Sequence, residues 1–149
     1  MRYFEDLFVG DEKTFEEEYH VTEQEIIEMG RRWDPQPFHI DPVAAKASMF
    51  GGLVASSAHI FCIFVSMGNQ EIDRDKNVAA ASALGFDKLR WHSPVRPGDV
   101  LRISDRVIAV RESKSKPDLG ICTIANRLFN QRGETVFTLE STFLAKKRS

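Results

Sequence analysis

Behind the run Thr22-Glu23-Gln24-Glu25, which has capping-box spacing, the apolar residues Ile26, Ile27, Met29 and Trp33 recur at helical intervals. This pattern predicts an amphipathic helix over about 22–33. Pro35 and Pro37 bias Asp34 and Gln36 toward extended backbone, so the helix should stop there and Asp34 to His39 should form a stiff loop, not a helix. Asp41-Pro42 sets a cap residue before a ring suited to the first helical position. A short second helix over 43–49 follows, closed by Gly51 and Gly52. Ser56 or Ser57 can cap a third helix reaching Met67 or Gly68. There Ala58, Ile60, Phe61, Cys62, Ile63, Phe64 and Val65 surround the axis with apolar side chains, so it must be enclosed on most sides.

The second half of the chain changes period. Residues 84–95, 99–111, 119–129 and 134–145 are rich in β-branched and aromatic residues and largely alternate in polarity, which predicts strands. Turn signals separate them at Arg96-Pro97-Gly98-Asp99, Ser113 to Asp118 and Asn130 to Gly133. One or two further strands are expected near Phe4 to Val9 and Thr14 to Val21. The elements add up to an α+β domain in which a curved antiparallel sheet wraps a long apolar helix.

Composition narrows the function classes. A chain of 149 residues without repeat, linker or low-complexity segment is expected to be one domain. A formal charge of -2 and a pI near 6.1 give no basic excess for nucleic acid. No apolar run reaches the ~20 residues of a membrane span, and the N-terminal stretch has no uninterrupted apolar core of a targeting signal, so a cytoplasmic location is expected. Cys62 and Cys122 lack metal-ligand spacing and read as buried free thiols.

Three stretches carry a resemblance: Asp34-Pro-Gln-Pro-Phe-His39-Ile-Asp41-Pro with the alanines and lysine after it, Phe50-Gly-Gly-Leu-Val-Ala-Ser-Ser57, and Arg90 to Leu101. Together they resemble the MaoC-like dehydratases, the branch of the hot-dog superfamily that includes the (R)-specific enoyl-CoA hydratases. Gln36 stands where the family usually has Asn, Trp33 where it often has Gly, and Ser56-Ser57 where it often has His-Gly. The hydroxyl found further along the family's helix is not reproduced at its spacing, where Val65 stands, with Ser66 one residue later. The resemblance implies a hydro-lyase acting reversibly on trans-2-enoyl-CoA or 3-hydroxyacyl-CoA, with no metal and no organic cofactor, and at least a homodimer. It makes Asp34 and His39 the catalytic acid-base pair and the Ser57 backbone amide the oxyanion donor. Gly51, Gly52, Ser56 and Phe61 would lie against the substrate.

The residue types suit that chemistry. Hydrating an enoyl thioester needs a base to take a proton from water and an acid to deliver one to the α-carbon, and a carboxylate and an imidazole sharing one water can do both. The start of a buried helix offers unpaired N–H groups to the thioester oxygen. Phe61 and Phe64 could wall an acyl tail. Other polar residues have simpler readings. Asp34 alone reads as a turn initiator, Asp41 as a helix cap, His59 as a satisfied core histidine, and His20 and His92 as strand residues. Arg90, Arg96 and Arg132 could each meet nucleotide phosphates, and the sequence does not select among them. A serine nucleophile is disfavoured because the G-x-S-x-G elbow is absent. Two rivals stay open: a hot-dog thioesterase, against which stands the lack of Asp or Glu from Leu53 to Gln70, and a non-catalytic acyl-CoA binding module.

Overall fold

In a computed structural model, residues 1–69 and 77–149 are described. Helix α1 spans Glu23–Trp33, and the Thr22 hydroxyl caps it by accepting from the Glu25 amide at 3.2 Å. Acids Glu23 and Glu25 in its first turn and Arg31 and Arg32 in its last complement the helix dipole. The Asp34 amide, bonded to the Gly30 carbonyl at 2.9 Å, closes the helix where Pro35 was expected to stop it.

The segment after it departs from expectation. Pro37–Ile40 is a helical turn, α2, so His39 sits on a helix and not on an extended loop. The two prolines act differently: Pro35 ends one helix, whereas Pro37 takes the first position of the next, where its missing N–H costs nothing. Helix α3, Pro42–Lys46, starts as expected, with the Asp41 carboxylate accepting from the amides of Val43 and Ala44. It ends earlier, at Lys46 with Ala47 as its cap, and Gly51 at φ 67° turns the chain onward. Helix α4 runs Ser57–Asn69, with the Ser56 hydroxyl accepting from the His59 amide at 3.1 Å as its cap.

Strands β1 (Glu12–Thr14), β2 (Tyr19–His20), β3 (Ala80–Trp91), β4 (Val100–Glu112), β5 (Leu119–Phe129) and β6 (Thr135–Lys146) form a six-stranded antiparallel sheet in the order β1-β4-β5-β6-β3, with β2 also on β4. The four long strands match the alternating segments, although β3 begins at Ala80 and ends at Trp91, four residues earlier than expected at each end. Two N-terminal expectations are corrected. Phe4–Asp6 is a 3-10 turn instead of a strand, and its Phe4 ring packs where a Cβ on Gly120 would stand. The stretch Thr14 to Val21 is broken between β1 and β2; there the Phe15 amide still donates to Ile103 of β4, while its carbonyl accepts from the Arg102 side chain.

One face of the sheet carries α4. Ile60, Ile63, Phe64 and Met67 of the helix join Leu101, Ile103, Leu128, Phe137 and Leu139 of the sheet in the main core, with Ile26 of α1 closing one side. A second cluster, Leu7, Val107, Cys122, Ile124 and Ala145, lies beyond a polar rung in which Asn126 donates to Asp105 and accepts from Ser141. Cys122 is buried as expected, and burial pushes its thiol up to about 11. Cys62 is not: it is exposed, as are Ala58 and Val65 on the same stripe of α4. The sheet covers one side of the helix, and this chain leaves the outer stripe uncovered. Among the described residues no helix is long and apolar enough to cross a membrane.

Candidate active site

Asp34 and His39 meet because α1 ends and α2 begins over four residues. Gly30 lets the two elements approach: a Cβ there would lie 2.9 Å from the His39 Cβ and 2.9 Å from Ile40 Cγ2. The His39 ring Nε2 stands 3.4 Å from Asp34 Oδ2. Its Nδ1 is 2.6 Å from the Val54 carbonyl oxygen. A carbonyl can only accept, so Nδ1 carries the hydrogen, and in the neutral ring Nε2 turns its lone pair toward the carboxylate. Two acceptors 3.4 Å apart cannot bond each other; a donor shared between them, such as a water, satisfies both. His39 is buried while the Asp34 side chain is 37% exposed, so the pair opens on the carboxylate side.

The partner of His39 was not visible in the sequence. Val54 belongs to a buried run, Leu53 to Ser56, that enters α4. Its amide donates to the Phe38 carbonyl at 3.1 Å while its carbonyl accepts from His39, and the next amide, Ala55, donates to Val95. The run therefore clasps α2 on one side and the loop before β4 on the other, then delivers Ser57 three residues later. As the first residue of α4, Ser57 has an amide with no intrahelical acceptor. Ser56 is buried and spent on capping, so its hydroxyl serves the helix. Phe61, one turn beyond Ser57, stacks edge-on against Phe86 and Phe137 in an aromatic layer under the helix.

Gly51 and Gly52 form the turn ahead of this run. Arg96 donates to the Phe50 carbonyl, and its guanidinium would lie 3.3 Å from a Cβ on Gly52. Of the three candidate arginines, Arg96 is the one at this turn. Arg132 pairs with Glu134 and Asp99 beside the turn after β5, and Arg90 bonds its neighbour's carbonyl on β3. His20 and His92 lie away from the pair, the first beside Glu18 and the second bonded to Thr138.

His59 is fully buried as expected but is not satisfied. Neither ring nitrogen has a hydrogen-bond partner among the described residues. Nε2 is 3.3 Å from Glu25 Oε1, close enough for strong attraction. Burial pushes its pKa below the usual histidine value, against the opposing pull of Glu25.

The model of the MaoC-like domain matches residues 7–124. The chain belongs to the MaoC-like domain family. The MaoC-like dehydratase from Rhodospirillum rubrum is 34% identical and superposes with a TM-score of 0.85, covering 100% of this chain and 99% of that one. Mesaconyl-CoA hydratase of Cereibacter sphaeroides is 34% identical over 74 residues, which make up 50% of this chain and 21% of that protein, so the match covers about a fifth of that relative. The unliganded (R)-hydratase of Pseudomonas aeruginosa shares the fold, with a TM-score of 0.74 at 21% identity over 98% of this chain and 86% of that one. Sheet, central helix and relatives place this MaoC-like chain in the hot-dog superfamily, and its relatives give it the general character of a hydratase or dehydratase.

Proposed function

We propose that this single hot-dog domain adds water reversibly to a trans-2-enoyl-CoA, and that Asp34, His39 and the Ser57 amide perform the reaction. The observation that carries the reading is the 3.4 Å pair of Asp34 and His39, with His39 held in one tautomer by Val54. A water between them loses a proton to the pair as its oxygen bonds the β-carbon. The electron pair of the double bond moves toward the thioester oxygen, where the Ser57 amide and the positive end of α4 stabilise it. The pair then returns a proton to the α-carbon, completing the addition of one water. Acid-base groups suffice for each step, so the reading calls on neither metal nor organic cofactor. Gly51, Gly52, Ser56 and Phe61 border the path of the substrate, with Arg96 as the cation beside the turn.

The unit that works is a homodimer. Among the described residues β3 is paired on one edge only, and along it Leu84, Phe86 and Trp91 are 53%, 39% and 43% exposed, beside the uncovered stripe of α4. Open edges and exposed apolar patches of this kind are normally covered by a partner. Light scattering should give twice the chain mass; a monomer at working concentrations counts against it. A cytoplasmic setting suits two free cysteines and an acyl-CoA substrate of fatty acid metabolism.

The test is the loss of enoyl-thioester absorbance with crotonyl-CoA and a longer homologue. Turnover by the intact protein supports the reading. Release of free thiol would favour a thioesterase, and binding of CoA esters with no turnover of either enoyl-CoA would favour a binding module.

A further inference from the structure

His59 is the buried titratable group that the acid-base mechanism leaves unused. It occupies the third position of α4, two residues beyond the Ser57 amide, and its amide is already capped by Ser56. Facing it from α1 is Glu25, whose Oε1 also accepts the Tyr19 hydroxyl from β2. His39 of α2 lies near enough that a charge on either ring would oppose a charge on the other. An imidazolium here would stand at the positive end of a helix and near a second histidine, in a site that water does not reach, so His59 rests neutral.

The connectivity gives this contact its meaning. α1 carries Glu25 in its first turn and ends in Asp34; α4 begins with Ser57 and carries His59 in its first turn. We propose that His59 is a positioning residue for the hydration proposed above, a buried link to Glu25 that sets how far the helix ending in Asp34 stands from the amide at the start of α4. Tyr19 holds the Glu25 carboxylate in place, and the tie acts on both ends of the reacting assembly without touching the substrate.

Three variants test it: His59→Phe, which fills the site without a polar atom; His59→Gln, which restores a donor toward Glu25; and Glu25→Gln. Misplacement by ~1 Å can cost up to 10² in rate, so His59→Phe is expected to lower kcat by about tenfold or more with KM within about threefold, and His59→Gln to recover a substantial part. Wild-type kcat in His59→Phe, or no recovery in His59→Gln when both melt like the parent, overturns the proposal. A nitrogen-detected NMR titration of the histidine rings judges the link independently of turnover. Glu25→Gln should shift the His59 ring nitrogens, and His59→Phe should shift the Nε2 signal of His39. Unchanged signals overturn the tie, whereas shifted signals with no hydration by the intact protein would sink the hydratase reading and leave the tie standing.

Discussion

Helix α1 presents a carboxylate to a buried histidine at each of its two ends, and the two pairs are built to opposite specifications. At its C-terminal end Asp34 stands 3.4 Å from His39, whose other nitrogen is fixed by a 2.6 Å bond to Val54, and the carboxylate is partly open. Toward its N-terminus Glu25 stands 3.3 Å from His59, whose nitrogens have no hydrogen-bond partner among the described residues and no access to water. Residue types and separations are nearly the same. What differs is anchoring and access: an imidazole with a fixed tautomer and a solvent-facing partner can exchange protons with a bound molecule, and a sealed one can only hold structure. A histidine beside an acid therefore announces catalysis only once its second nitrogen and its route to water are known.

The sharpest way to break this contrast is to neutralise each acid in turn. Asp34→Asn or His39→Ala should lower kcat/KM by ~10² to 10⁴, the usual worth of a general acid-base group, while Glu25→Gln should cost nearer tenfold. Equal losses measured by enoyl-CoA absorbance would erase the distinction. Ser57→Pro probes the amide at the start of α4, the proposed oxyanion donor. Proline suits the first position of a helix, so α4 should form, yet the N–H is gone, and kcat should fall by ~10² with little change in melting temperature. Gly30→Ala would wedge α1 from α2 on the Asp34 side alone: a Cβ 2.9 Å from His39 should cost ~1 to 3 kcal/mol in denaturant unfolding despite the better helix propensity of alanine.

The smallest effect concerns acidity. Burial lowers the His59 pKa, so below its ordinary value of 6.5 the unfolded chain binds a proton that the native chain refuses. Stability is then fully present above about pH 6.5 and declines as pH falls toward the lowered native value. Calorimetry between pH 5 and 7.5 should show a shallower acid decline for His59→Phe than for the parent; parallel slopes would contradict a neutral buried His59.

Long periodic segments were legible in the sequence, and close contacts between them were not. α1 and α4 could be read from their caps and apolar spacing, and β4, β5 and β6 from alternation within about one residue at each end. β3 started early because Ala80 to Ala83 carries little strand signal until β6 pairs with it. α2 was missed because Pro37 was read as a breaker and not as an initiator. The Asp34–His39 pair followed from the motif, but Val54 could not, since a backbone carbonyl leaves no mark in the residue pattern. His59 was expected among satisfied core residues because polarity inside a helix says nothing about which partner faces it. Cys62 was expected inside because the residue pattern of an apolar helix does not show which of its sides the rest of the chain covers.

The place of β3 in the sheet also constrains the order in which the molecule can be made. Its pairing partner is β6, and residues 92–134 must be synthesised before the first residue of that partner exists. Until then β3 offers two unsatisfied edges rich in alanine, leucine and aromatic residues, guarded mainly by the charges of Asp87, Lys88 and Arg90. A nascent chain halted before Thr135 would hold a strand with no place in the sheet, so this fold is exposed to aggregation from the completion of β3 until β6 has been made.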